Sequence, residues 1–253
     1  TKPAILFKEL KITFSDLDVF TNRLANRLLR VGVKKGDRVV LLFQNCPEFC
    51  VSYFAVLKIG AIAVALDVRL SPAEMEPIFH EAEVSAMITN MRQKGFVHRV
   101  LKAVPSLRHV VVAGTDGEEI GDWHSYEEII QKESSGKISI PLQEEDESLY
   151  LYTSGTTGRP KGVVLTNDHL TCFPETLRQA VLMSERDVYG LVLPVSHIAG
   201  PCILNLMLEC GMTVSIIDEM NPKKILDAVQ RHRITYFSAP PSRTFLAGGA
   251  VSH

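Results

Sequence analysis

Apolar residues along the chain gather into short continuous runs. These alternate with longer stretches in which apolar positions recur every three or four residues. Continuous runs predict buried strands and the longer period predicts amphipathic helices. Two short runs, 4–7 and 12–14, predict an opening hairpin. Ser15 is placed as a helix N-cap with Asp16 and Asp18 in the first turn. Leu17, Phe20, Leu24, Leu28 and Val31 then recur at helical spacing, and Gly32 stops the helix. After a turn at Gly36-Asp37, residues 38–43 predict a buried strand, 47–58 a mostly apolar helix ending at Gly60, and 61–66 another strand. Ser71-Pro72-Ala73-Glu74 combines a cap, a proline at the first helical position and a capping-box glutamate, opening a helix to about residue 83. A strand at 84–89, a helix near 94–104 and a strand at 109–113 continue the alternation.

This rhythm, with its short connections, predicts an α/β fold of mainly parallel sheets flanked by helices on both faces. Ligands of such sheets sit at the carboxyl ends of the strands. No Gly-rich dinucleotide fingerprint occurs up to residue 113, so that part reads as scaffold. Residues 114–148 change character, with a turn-rich acidic loop at 114–119 and a second acidic stretch at 143–148. Between them Ser125-Tyr126-Glu127-Glu128 predicts a capped short helix. The acidic runs read as solvated connections, because nothing fixes Glu144, Glu145, Asp146 or Glu147 in metal-binding geometry. A division near residue 140 follows, with a first α/β subdomain at 1–140 and a second at 141–253. The rhythm resumes with strands at 149–152 and 163–165 and a helix capped by Thr166-Asn167 that runs to about residue 182, Pro174 kinking it or shifting its start. A strand at 188–193, an apolar helix at 202–208, a strand at 213–217, a helix opened by Asn221-Pro222 and a strand at 235–237 complete it.

Composition narrows the class. Of 253 residues, 46% are hydrophobic, enough for a sizeable core, and the net charge of −2 gives no basic excess for nucleic acid or an anionic membrane. No apolar run approaches the ~18 residues of a membrane span. No N-terminal secretory pattern is visible, although the chain begins without Met. The five cysteines (Cys46, Cys50, Cys172, Cys202 and Cys210) are odd in number and form no CxxC pair, which argues against zinc and against a disulfide framework. Reduced thiols in a cytoplasmic protein are the expectation. Cys46 and Cys50, four apart, read as core packing.

The candidate chemistry lies in Thr153-Ser154-Gly155-Thr156-Thr157-Gly158-Arg159-Pro160-Lys161-Gly162, between the strand-like runs 149–152 and 163–165. Glycines let a backbone turn tightly and bring successive N–H groups to one anion. Thr153, Ser154, Thr156 and Thr157 add hydroxyl donors and Lys161 adds positive charge. The stretch reads as a polyphosphate loop. A plain Ser/Thr/Gly linker has similar composition, but this loop is short, bounded by strands and closed by Pro-Lys-Gly. It is not a Walker A loop, because Pro160 stands where that pattern needs its second glycine and Gly162 follows Lys161. His197 is the second candidate. A lone histidine is usually a cap or core residue, but this one follows a strand end, where α/β sites are built.

The loop closely resembles the phosphate-loop signature of the adenylate-forming (AMP-binding) superfamily, which includes acyl-CoA synthetases, aryl-CoA ligases, luciferases and peptide-synthetase adenylation domains. Pro194, His197 and Gly200 match its Pro-x-x-His-x-x-Gly pattern, with Ser196 where many relatives carry an aromatic residue. Ala247-Gly248-Gly249-Ala250 resembles its Gly-Gly-Ala segment. The resemblance implies that Thr153, Ser154, Gly155, Thr156, Thr157, Gly158 and Lys161 hold the ATP β- and γ-phosphates. It further implies that His197 lies beside the carboxylate and α-phosphate, that Gly248, Gly249 and Ala250 lie along the adenine, and that Lys161 and His197 are the catalytic side chains. ATP, Mg²⁺ and coenzyme A are the implied cofactors and co-substrates, and a small carboxylate is the implied partner. A homodimer is admitted.

Members of the superfamily run to roughly twice this length, so the chain reads as an N-terminal fragment. The Tyr-Gly-x-Thr-Glu and Thr-Gly-Asp segments and the small C-terminal domain with its lysine are absent from the sequence. In relatives a helix and a loop separate Pro-Pro-Ser from Gly-Gly-Ala. Here Pro240-Pro241-Ser242 runs directly into Arg243, which suggests missing residues at that junction. The expected reaction is ATP-dependent activation of a carboxylic acid followed by transfer to coenzyme A, with residues 1–253 alone inactive or binding ATP weakly. The Phe-Asp-x-Ser segment of amino-acid adenylation is not found, and Ile198, Ala199, Cys202 and Ile203 suit an apolar tail, so a fatty or aryl acid is expected. Other readings stay open: an amino-acid adenylation domain, a phosphotransferase, or a non-catalytic nucleotide-binding or interaction module.

Overall fold

A computed structural model describes residues 2–153 and 161–238, Thr153 through its backbone alone. The chain opens with β1 (Pro3–Phe7), β2 (Leu10–Thr13) and α1 (Phe14–Arg30). Next come β3 (Arg38–Leu42), α2 (Pro47–Lys58), β4 (Ile62–Leu66), α3 (Pro72–Glu81), β5 (Ala86–Asn90), α4 (Lys94–Ala103) and β6 (His109–Ala113). β7 (His124–Ser125), α5 (Tyr126–Lys132), β8 (Glu147–Thr153), β9 (Lys161–Thr166) and α6 (Asn167–Val181) follow. The described chain ends with β10 (Val188–Leu191), α7 (Ala199–Cys210), β11 (Thr213–Ile216), α8 (Pro222–His232) and β12 (Tyr236–Phe237).

These elements form two compact units, one of residues 18–43 and 48–168, the other of residues 2–17, 44–47 and 169–238. The first holds a seven-stranded sheet in the order β7-β6-β5-β3-β4-β8-β9. All its neighbours run parallel except β9, which is antiparallel to β8. Successive side chains on a strand face opposite sides. Val40, Leu42, Val64, Leu66, Met87, Val110 and Val112 meet Met75, Ile78 and Phe79 of α3 and Phe96, Val97 and Val100 of α4 in one core cluster. Val39, Leu41, Ala63, Ala65 and Ile88, on the alternate positions, are buried as well, so helices cover both faces. Each such Val, Leu or Phe contributes about 1.5–3 kcal/mol by leaving water.

The second unit holds a five-stranded sheet in the order β12-β10-β11-β1-β2, parallel except for β2. Ile5 pairs with Val214 and, on the other side, with Ile12. Ser215 is fully buried, and its Oγ lies 2.7 Å from His232 Nδ1. His232 Nε2 lies 3.0 Å from the Lys8 carbonyl. That carbonyl can only accept, so in the neutral ring Nε2 carries the proton and Nδ1 accepts from the Ser215 hydroxyl.

Two expectations shift. α1 starts two residues earlier than a Ser15 cap allows. Asp16 Oδ2 accepts from Thr13 N at 3.0 Å and Thr13 Oγ1 accepts from Asp16 N at 3.1 Å, a reciprocal box that makes Thr13 the cap. The division near residue 140 is not where the compact units part. β8 joins β4 in parallel register (Ala63↔Leu149, Leu151↔Ala65), so residues 147–166 complete the sheet begun at β3. Among the described residues no helix is long and apolar enough to cross a membrane.

Candidate active site

The two strands that flank the candidate phosphate-loop segment pair with each other. β8 and β9 pair through Tyr150↔Val164, Leu151↔Val163, Tyr152↔Gly162 and Thr153↔Lys161. β8 lies parallel to β4, so Thr153, its last residue, stands at the carboxyl ends of the parallel strands, where α/β folds place ligands. Lys161 is exposed at the foot of the turn, directly across from Thr153. A Cβ on Gly162 would come within 3.2–3.4 Å of the Tyr152 ring, so the glycine after the lysine makes room for the aromatic residue across the ladder. The far end of the hairpin is tied as well. Asn167 Nδ2 donates to the Gln143 carbonyl at 2.8 Å, and its Oδ1 accepts from Ser148 Oγ at 2.5 Å.

Burial holds the phenols of this hairpin protonated. The Tyr150 pKa is pushed up to about 12, first by burial and then by its hydrogen bond to Glu147. The Tyr152 pKa is raised, again first by burial and then by the charge of Glu81. Ser154, Gly155, Thr156, Thr157 and Gly158 lie outside the described residues, as do Gly248, Gly249, Ala250 and the Ser242–Arg243 junction.

His197 belongs to the other unit, between the carboxyl end of β10 and the start of α7. The Pro-x-x-His-x-x-Gly spacing has a visible cause there. His197 N donates to the Pro194 carbonyl at 2.9 Å, and Gly200 N donates to the His197 carbonyl at 2.9 Å, winding the segment into two overlapping turns. A Cβ on Gly200 would stand 2.7 Å from Val195 Cα, so only glycine lets the second turn close on the first. The His197 side chain is exposed, and its Nδ1 accepts from Ala199 N at 3.3 Å, leaving Nε2 as the proton-bearing nitrogen of the neutral ring. Behind it α7 buries Cys202, Ile203, Leu204, Leu206 and Met207, and burial raises the Cys202 thiol to about 11. Sequence reasoning passed over Asn45, whose Oδ1 accepts from Val195 N at 3.0 Å. A single asparagine far along the chain from its partners carries no local signal.

Among the described residues no group of three His, Cys, Asp or Glu side chains is placed to hold a metal ion. Cys50 is buried inside α2, while Cys46 precedes that helix and is half-buried, so the two share no helix face.

Comparison with known proteins agrees with this architecture. The family model of AMP-binding enzymes matches residues 1–244, and the chain belongs to that family. It is 28% identical over 249 residues to a crotonobetaine/carnitine–CoA ligase of Salmonella choleraesuis, covering 95% of this chain and 48% of that protein. The chain thus spans about half the length of the curated relatives it matches. A putative long-chain-fatty-acid CoA ligase from Rhodopseudomonas palustris superposes with a TM-score of 0.89 at 24% identity, covering 98% of this chain and 61% of that one. The ATP-bound MatB structure from the same organism gives 0.86 at 25% identity, covering 97% of this chain and 48% of the other.

Proposed function

We propose that the protein to which this chain belongs activates a carboxylic acid with ATP and passes the acyl group to coenzyme A, and that the acid is a fatty acid. Family membership together with the β8–β9 hairpin carries this reading. The hairpin sets Lys161 against Thr153 at the carboxyl edge of a parallel sheet. The CoA-ligase names of the curated relatives and the ATP in the MatB structure support it.

In the first step a carboxylate oxygen bonds to the α-phosphorus. The bond from that phosphorus to the bridging oxygen breaks, and pyrophosphate leaves with both electrons. In the second step the thiol gives its proton to solvent, its sulfur bonds to the acyl carbon, and the bond from that carbon to the phosphate oxygen breaks, AMP leaving with both electrons. Neither step needs a covalent bond to the protein, so alignment and charge stabilisation supply the acceleration. The hydroxyls of Thr153, Ser154, Thr156 and Thr157 and the backbone N–H groups at Gly155 and Gly158 are assigned to the β- and γ-phosphates, with Lys161 balancing the charge that grows on the leaving group. His197 Nε2 is assigned to the carboxylate or α-phosphate oxygens, and Gly248, Gly249 and Ala250 to the adenine face. Magnesium bound with the nucleotide supplies further charge neutralisation on the phosphates.

The apolar residues behind His197 favour an apolar acyl tail over an amino acid. Carboxylate-dependent ATP–pyrophosphate exchange by the full-length protein tests the reading, using acetate, medium and long fatty acids, benzoate and amino acids. Exchange with fatty acids is expected, and Lys161→Ala should lower it on the order of 100-fold. Absence of exchange with every acid, in a protein that binds ATP, would leave a non-catalytic nucleotide-binding module as the better account. Residues 1–253 alone should show no turnover, because the sequence lacks the family segments assigned to metal, ribose and the second catalytic lysine.

A further inference from the structure

Asn45 lies between β3 and α2, in the segment 44–47 that belongs to the same compact unit as β10, β11 and the His197 turn. It is 7% exposed and has no charged neighbour in its hydrogen bonds. Its carboxamide is spent on three backbone groups. Nδ2 donates to the Leu193 carbonyl at 3.0 Å and to the Ile217 carbonyl at 3.1 Å, and Oδ1 accepts from Val195 N at 3.0 Å. Two carbonyls can only accept and a peptide N–H can only donate, so one orientation of the amide satisfies all three.

These partners are not scattered. Leu193 and Ile217 follow the ends of β10 and β11, neighbouring parallel strands in register at Leu191↔Ile216. Leu193 and Val195 flank Pro194, and the Pro194 carbonyl receives the His197 N–H. The amide therefore grips the chain on both sides of the proline that opens the His197 turn and ties it to the adjacent strand. Gly200 also packs against this segment, since a Cβ there would stand 2.7 Å from Val195 Cα. Val195 is 1% exposed and Asn45 is similarly enclosed, so water cannot take over the bonds of the carboxamide if it is removed.

We propose that Asn45 is a positioning residue that fixes the His197 imidazole relative to the strand ends, and that it acts on adenylation through His197. This rests on the role given to His197 under Proposed function. A buried asparagine that merely satisfied the backbone would stabilise the protein without acting through the histidine.

The test uses the full-length protein with Asn45→Ala, Asn45→Ser, His197→Ala and the double variants. Asn45→Ala should lower kcat for ATP–pyrophosphate exchange by about ten- to a hundredfold while the KM for ATP moves by less than about threefold. In the His197→Ala background the same substitution should change kcat by less than about twofold, because its route of action is already gone. Equal fold losses in both backgrounds would overturn the proposal and leave a structural asparagine. Asn45→Ser keeps one hydroxyl donor and serves where alanine does not fold.

A second readout needs no activity. By NMR, the wild-type Val195 amide should exchange with solvent as slowly as the β10 and β11 amides, and Asn45→Ser should speed it and shift the His197 ring resonances. Fast exchange at Val195 in the wild type, or unmoved ring resonances in the variant, would overturn the proposal. A wild type without exchange activity but with these NMR signatures would count against the adenylation reading and leave the Asn45 clamp in place.

Discussion

At Gly200 a single hydrogen decides whether the turn carrying His197 can form, since the nearest obstacle to a methyl group is main chain and cannot rotate aside. Gly200→Ala should lower stability by about 1–3 kcal/mol, read from the denaturant midpoint, and slow ATP–pyrophosphate exchange along with it. Tyr150 gives a pH prediction. Its folded pKa of about 12 lies above the ordinary 10.0, so the native state keeps a proton that the unfolded chain releases earlier. The resulting stabilisation is complete below pH 10.0 and is lost as the pH climbs toward 12. Thermal midpoints measured from pH 9 to 11.5 should fall less steeply in Tyr150→Phe than in wild type. Tyr152, Tyr189 and the Cys202 thiol, whose pKa values burial also raises, contribute to the slope that remains.

The helices and strands were the most legible part of the sequence, because an element records itself in the spacing of its own apolar residues. α2 runs over Pro47–Lys58 and β6 over His109–Ala113, as their patterns predict. Caps were legible where one residue alone fits the role. Asn221, before Pro222, accepts from Lys223 N at 3.0 Å and Lys224 N at 3.4 Å. Asn221→Ala should cost about 1 kcal/mol in urea unfolding, and an unchanged midpoint would show α8 to be held by packing alone. At α1 both Thr13 and Ser15 suit a cap, and only the reciprocal bonds with Asp16 decide between them. The strands on either side of the candidate phosphate loop showed in their apolar runs. The Asn45 clamp did not, because its partners at Leu193, Val195 and Ile217 come together only through the fold.

Across the whole molecule, the partition of the chain was the least legible feature. Strand partners are chosen in space, and the acidic stretch near residue 140, which looks like a boundary, leads directly into a strand of the larger sheet. The first strands instead serve a sheet whose other members arrive late. Removing residues 2–13 should therefore raise hydrogen exchange in β11, which loses its neighbour β1, and at the end of α8, where His232 loses the Lys8 carbonyl. The strands β3 to β6 should keep their protection, because they draw no partner from that hairpin. Mass-spectrometric exchange on the shortened protein reads both regions at once, and uniform deprotection would contradict the separation of the two units.

The pairing of Ile5 with Val214 also sets a schedule for synthesis. At about 5–20 residues per second, a ribosome needs roughly 10 to 40 s to add the second residue after the first. The hairpin itself closes in microseconds. Through that interval the nascent chain carries β1 with one side unpaired, an open template for any passing strand, while the larger sheet has every residue it needs once Thr166 has been made. Chaperone demand during translation should accordingly fall on β1 rather than on β11.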